Sequence, residues 1–134
     1  MRNRGSVIIK ENNKIALIKR IKEETIYYVF PGGGIEEGET PEEGAKREAL
    51  EELGVTVEIK DCLVKMENNG TQYFFLAEIS EGEFGTGKGE EFDDGNNRGS
   101  YIPMWIDIDS FSQIDVKPKE VANKIKVIFQ DRGI

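Results

Sequence analysis

The amino-acid sequence predicts an α/β fold, a central mixed β-sheet with one helix against each face. Three observations carry this. The segment from Thr40 to Gly54 has the start, the stop and the apolar spacing of a helix. Short apolar runs with strand character come before and after it. The tail from Pro118 to Gln130 returns to helical spacing. Local patterning leaves the order of the strands open.

In chain order, Ser6 to Lys10 and Lys14 to Arg20 read as two strands joined by the turn Glu11-Asn12-Asn13. A third run, Ile26 to Phe30, ends at Pro31 and three glycines. The helix Pro41 to Leu53 follows. Thr40 is its N-cap, Pro41 occupies the first helical position and Glu43 closes a capping box. Gly54 is the stop, because glycine accepts the left-handed conformation past a helix end. Val55 to Lys65 and Gln72 to Ile79 read as strands around the turn Glu67-Asn68-Asn69-Gly70. Tyr73, Phe74, Phe75 and Leu76 are apolar on both faces, as in a strand covered on both sides. From Ser80 to Ser100 periodicity is absent and glycine recurs at 82, 85, 87, 89, 95 and 99; so long an irregular stretch is usually functional or mobile. Tyr101 to Ile108 is a strand whose Pro103 points to an edge or a bulge. In the tail, Val121, Ala122, Ile125, Ile128 and Phe129 share one helical face.

Within helix 41–53, Ala45, Ala49, Leu50 and Leu53 form the apolar arc. Glu48, Glu51 and Glu52 fall at i, i+3 and i+4, so their carboxylates converge on a neighbouring arc, with Glu52 near the core edge. Residues 32–54 hold eight glutamates against Lys46 and Arg47, a net of −6 in a chain of net charge −8. Like charges at this spacing repel, and converging hard oxygen donors suit magnesium, manganese or calcium. A solvated acidic face is the plain alternative.

Composition narrows the classes. A length of 134 residues suits one domain over 1–134. The pI near 4.7 argues against an extended nucleic-acid binder, since no broad basic stripe exists. Cys62 is the only cysteine, which excludes an intrachain disulfide and fits a reducing cytoplasm. No apolar run reaches the length of a membrane span, and the start, Met1-Arg2-Asn3-Arg4, leads into only a short apolar strand. The chain has no histidine, so a general base must be a carboxylate, a lysine, a tyrosine or a metal-activated water.

Gly33, Glu39, Arg47, Glu48, Glu51, Glu52 and Gly54 stand at the spacing G-x5-E-x7-R-E-x-x-E-E-x-G. This pattern resembles the Nudix box, the signature of hydrolases that cleave nucleoside diphosphates linked to another group. The resemblance implies a Nudix-type α/β/α sandwich and a divalent-metal pyrophosphohydrolase, with Mg2+ or Mn2+ as cofactor. It implies metal ligation by Glu48, Glu51, Glu52 and the backbone carbonyl of Gly33, with Glu48 as ligand or as the carboxylate that orients water. Arg47 is expected to position the glutamates through a salt bridge, and Glu39 to brace the glycine loop against the helix. Gly32, Gly33, Gly34 and Gly38 are expected to supply backbone geometry closed to other residues, and Gly44 to leave room for the ion.

A further glutamate from the long loop is implied as ligand or base. Among Glu81, Glu83, Glu90 and Glu91, the sequence favours Glu91 and then Glu90, because Gly85-Thr86-Gly87-Lys88-Gly89 lets the chain fold back; solvation of the loop is the competing reading. For the substrate, Arg20 and Arg4 are the candidate phosphate contacts and Tyr28 the candidate stacking residue, although alternation sends one of Tyr27 and Tyr28 into the core. The expected partner is a small nucleotide, with a homodimer in keeping with the family. Three activities stay open: hydrolysis of a nucleoside triphosphate or related derivative, hydrolysis of a dinucleoside polyphosphate or ADP-sugar, and nucleotide binding without turnover.

Overall fold

A computed structural model of the chain describes residues 2–67, 69–87 and 100–130. Among the described residues there are eight strands and two helices: β1 (Arg4–Glu11), β2 (Lys14–Lys22), β3 (Thr25–Val29), β4 (Gly32–Gly34), α1 (Pro41–Leu53), β5 (Val55–Glu67), β6 (Thr71–Gly82), β7 (Ser100–Asp107), β8 (Val116–Lys117) and α2 (Lys119–Gln130). Both helices and six of the strands lie where the sequence predicts them; the short strands β4 and β8 are additional. A 3-10 turn, Ile108–Gln113, links β7 to β8. None of the described helices is long and apolar enough to cross a membrane.

The strand order is β5-β6-β1-β2-β3-β8, with β4 beside β1 and β7 beside β2. The β1–β6 and β3–β8 pairs are parallel and the others antiparallel, so the sheet is mixed. One edge of β1 runs along β6. Its other edge pairs with β4 at Arg4–Ser6 and with β2 only at Lys10 and Glu11, which splits and curls the sheet. Among the described residues β7 pairs with β2 alone, so Pro103 lies in an edge strand, where its missing N–H is tolerated.

Both faces of the sheet are covered. Val7, Ile9, Ala16, Ile18, Phe75 and Ala77 pack with Ala45, Ala49 and Leu53 of α1. Their neighbours Ile8, Ile15, Leu17 and Phe74 pack with Val121, Ala122 and Ile125 of α2. Alternation along each strand thus feeds two cores, the arrangement of an α/β/α sandwich.

Three local expectations are corrected. The glycines 32–34 form a short strand instead of a turn, and only Gly38 of the four loop glycines has a positive φ, 88°. Gly32 and Gly33 serve by lacking a side chain, as described below. Leu50, expected on the apolar arc, is 53% exposed, whereas Glu52 is buried at 8%. At 100° per residue Leu50 lies well past the arc centred on Ala45, Ala49 and Leu53, and Glu52 falls beside Ala45. Lastly, the stretch after Ser80 is not wholly irregular: β6 continues to Gly82, and Gly85 and Thr86 donate backbone hydrogen bonds to Leu53 O. Phe84 packs against Trp105, ring centroids 4.7 Å apart and planes tilted by 31°, and so anchors this stretch.

Candidate metal and substrate site

The site grows from the way α1 meets β1 and β4. Its N-terminus is fixed by the reciprocal capping box: Thr40 Oγ1 accepts from Glu43 N at 3.0 Å, and Glu43 Oε1 accepts from Thr40 N at 2.9 Å. Gly54 ends it in the left-handed conformation, φ 80°. Gly5 and Gly33 are cross-strand partners beneath the helix. A Cβ on Gly5 would lie 2.8 Å from Pro41 O, so this glycine sets how closely α1 approaches. A Cβ on Gly33 would lie 2.4 Å from Glu48 Oε2, so this one leaves the space that the Glu48 carboxylate fills.

Glu52 reaches the same strand from one turn further along. Its Oε1 accepts the Gly32 N–H at 2.9 Å, which gives a buried carboxylate a backbone partner. Glu48 is also well covered, its side chain 13% exposed, while Glu51 stands at the solvent edge at 48%.

Arg47 ties these groups together. Its Nε donates to Glu39 Oε2 at 2.7 Å and its Nη2 to Gly34 O at 3.0 Å. Its Nη1 lies 3.1 Å from Glu48 Oε2 and 3.4 Å from Glu51 Oε2. Glu39 in turn accepts the Glu36 N–H at 2.9 Å, so it braces the loop after β4 against the helix. The Arg47 hydrogen bond, helped by the Glu36 N–H, holds the Glu39 carboxyl below its ordinary range. The same contact with Glu39 raises Arg47 further above the range in which it could lose its charge. A Cβ on Gly44 would press on Glu39 Oε1 at 3.2 Å and Ile35 Cγ1 at 3.3 Å. Gly44 therefore makes room for the loop.

The donor set is chemically suited to a hard divalent cation: carboxylates of one helix arc beside a strand backbone, with a glycine-made space in front of Glu48. Among the described residues no three acidic or other ligating side chains are already gathered to hold an ion. Arg47 Nη1 bridges Glu48 and Glu51.

The other predicted residues are dispersed. Arg4 opens β1 and lines a cleft of about 280 Å³ with Ser6, Gln72, Phe74 and Lys117, among others, where the sheet splits. Arg20 lies on β2, its guanidinium 3.5 Å from the centroid of the Tyr101 ring and 5.7 Å from that of Tyr27. Tyr28 is half-buried and packs into the α2-side core, and its N–H donates to Asp115 O at 2.8 Å. Glu90 and Glu91 lie outside the described residues. Tyr101 went unnoticed in the sequence, because only the register of β7 against β2 brings it beside Arg20.

A family model for the NUDIX domain matches residues 1–130. The chain belongs to this family. Among curated proteins, this NUDIX chain is similar to the 8-oxo-dGTP diphosphatase of Escherichia coli (strain K12), at 38% identity over 84 residues. That match spans 58% of this chain and 65% of the relative. It is also similar to the RNA pyrophosphohydrolase of Rickettsia bellii (strain OSU 85-389), at 46% identity over 50 residues, 37% of this chain and 31% of that protein. The matched length is below two thirds of either relative. Among solved structures, a NUDIX hydrolase from Nitrosomonas europaea superposes with a TM-score of 0.74 at 18% identity, covering 97% of this chain and 89% of that one. That likeness is one of fold. NUDIX hydrolases generally depend on a divalent metal.

Proposed function

We propose that this chain is a divalent-metal-dependent pyrophosphohydrolase that attacks a nucleoside triphosphate, or a related nucleoside diphosphate derivative, with water at phosphorus. Magnesium is the proposed metal, and manganese its replacement. The observation that carries the reading is the anchoring of Glu52 to Gly32 N beside Glu48, which fills the space left by Gly33. Burial of a carboxylate is costly, and two of them side by side on a helix are costlier still unless a cation is shared. The names of the relatives, a nucleotide diphosphatase and an RNA pyrophosphohydrolase, support the same reaction class.

Glu48, Glu51, Glu52 and the Gly33 carbonyl would hold the ion. When bound, the cation supplies neutralisation of the charge on the phosphate oxygens. The chain's own residues do the rest. Arg47 keeps the backbone of Gly34 and the carboxylates of Glu39, Glu48 and Glu51 in one rigid arrangement. A carboxylate takes the proton from water as the new P–O bond forms, and the bridging P–O bond breaks to release the leaving phosphate. We assign that proton transfer to Glu48 or Glu91. Glu91 follows Gly87 by four positions. Gly87 packs against the end of α1, where an added Cβ would meet the carbonyls of Glu51 and Glu52 at 2.6 and 2.5 Å.

A panel of nucleoside triphosphates, dinucleoside polyphosphates and ADP-sugars, assayed for phosphate and pyrophosphate release with magnesium and with chelator, tests the proposal. We expect metal-dependent release from at least one class, with Glu91→Gln depressing kcat more than Glu83→Gln. No release from any member would leave nucleotide binding without turnover as the better account.

A further inference from the structure

Four side chains on neighbouring strands form an alternating row of rings and cations. Arg20 is the direct cross-strand partner of Tyr27 on β3 and of Tyr101 on β7. Its guanidinium lies over the Tyr101 ring at 3.5 Å and near the Tyr27 ring at 5.7 Å. Lys117 of β8 places Nζ 4.8 Å from the Tyr27 centroid and 4.0 Å from Asp115 Oδ2. Tyr101 packs against the α1-side core, so the row lies on the sheet face that α1 covers.

A stacked guanidinium keeps its five N–H donors in the ring-parallel plane, where they form the fork that carboxylate and phosphate oxygens fit. Stacking also restricts a long side chain that would otherwise lose considerable rotamer freedom on binding a ligand. Directly opposite cross-strand pairs hold such contacts without any loop having to order.

We propose that Tyr101 is a positioning residue: it fixes the Arg20 guanidinium, with Tyr27 as a second wall, so that its in-plane donors meet an anionic oxygen of the nucleotide. The inference rests on the pyrophosphohydrolase reading above, and it makes Tyr101 a determinant of substrate affinity instead of turnover. If stacking served only to hold β7 on β2, loss of the ring would lower the melting temperature and leave affinity alone.

The test uses the full chain and the α,β-methylene analogues of the four deoxynucleoside triphosphates, with magnesium, alongside steady-state kinetics on the nucleotide turned over fastest. Tyr101→Leu should raise KM and the analogue Kd about tenfold while kcat stays within about twofold. Tyr101→Phe, which keeps the ring, should behave like the unsubstituted protein. In the Arg20→Lys background, Tyr101→Leu should add nothing further, because the fork it positions is gone. Unchanged KM and Kd in Tyr101→Leu overturn the proposal, as does a fall in kcat with KM intact. If Tyr101→Leu does not fold, Arg20→Lys and Arg20→Gln decide: equal losses support a positioned fork, and a lysine variant that binds normally refutes it. Absence of hydrolysis by the unsubstituted protein would strike the pyrophosphohydrolase reading alone, and the analogue affinities would still judge Tyr101. Absence of analogue binding by the unsubstituted protein would overturn the proposal itself.

Discussion

Adding a methyl group at Gly33 and at Gly32 separates catalysis from folding within two adjacent residues. At Gly33 the obstacle is the end of the Glu48 side chain, which can rotate away. Gly33→Ala should therefore cost about 1 kcal/mol or less in stability yet displace Glu48 and remove most turnover. At Gly32 the Cβ would meet Gly5 O at 2.5 Å and Ser6 Cα at 2.6 Å, both backbone. Gly32→Ala should cost about 2–3 kcal/mol, visible as a drop of several degrees in melting temperature. Thermal melts paired with kinetics check both variants; equal melting temperatures would contradict the packing argument. Glu52→Gln keeps an oxygen acceptor for Gly32 N, so its fold should persist while turnover falls about a hundredfold or more. Magnesium should raise the melting temperature of the unsubstituted protein, and this variant should show a smaller shift.

Helix α1 and its entry loop were the most legible element, because a cap is written within four residues of the helix end. Thr40, Pro41, Glu43 and Gly54 act where the sequence reading puts them. Thr40→Ala should cost about 1 kcal/mol by urea unfolding. What resisted local reading depends on distant partners. The three glycines become a strand only because β1 offers an edge, and Thr86 caps α1 from 32 positions beyond Gly54. The row Tyr101–Arg20–Tyr27 exists only in the registers of β7 and β3 against β2. The loop brace also carries a pH signature. Because the Arg47 contact depresses the Glu39 carboxyl in the folded chain, its stabilisation is complete above the ordinary value of 4.5 and is lost as pH falls through the folded value. Arg47, shifted upward, stays charged throughout and adds no slope in this range. Glu58, lowered by Lys60, contributes a limb of the same sign. Glu39→Gln should thus flatten the decline in melting temperature below pH 4.5, and combining it with Glu58→Gln should flatten it further. A decline of unchanged steepness in the double variant would assign the acid sensitivity elsewhere.

At the scale of the whole molecule, the sheet separates two cores that carry different burdens. The α1-side core adjoins the carboxylates, and the α2-side core is built around Ile8, Leu17, Phe74 and Ile125. Ile125→Ala should cost about 2–5 kcal/mol without altering kcat at a temperature where the variant stays folded. A matching loss of kcat would show that the two faces are coupled. The strand these cores share, β1, has a demand on timing. Its long edge is completed only by β6, in which Gln72 pairs with Arg4 and Ala77 with Ile9. During synthesis from the N-terminus, the apolar run Val7-Ile8-Ile9 therefore leaves the ribosome well before its parallel partner is made. Until then only the β2 hairpin and the short β4 strand are at hand to occupy the other edge, so the nascent chain is exposed to wrong pairing between the emergence of β1 and that of β6.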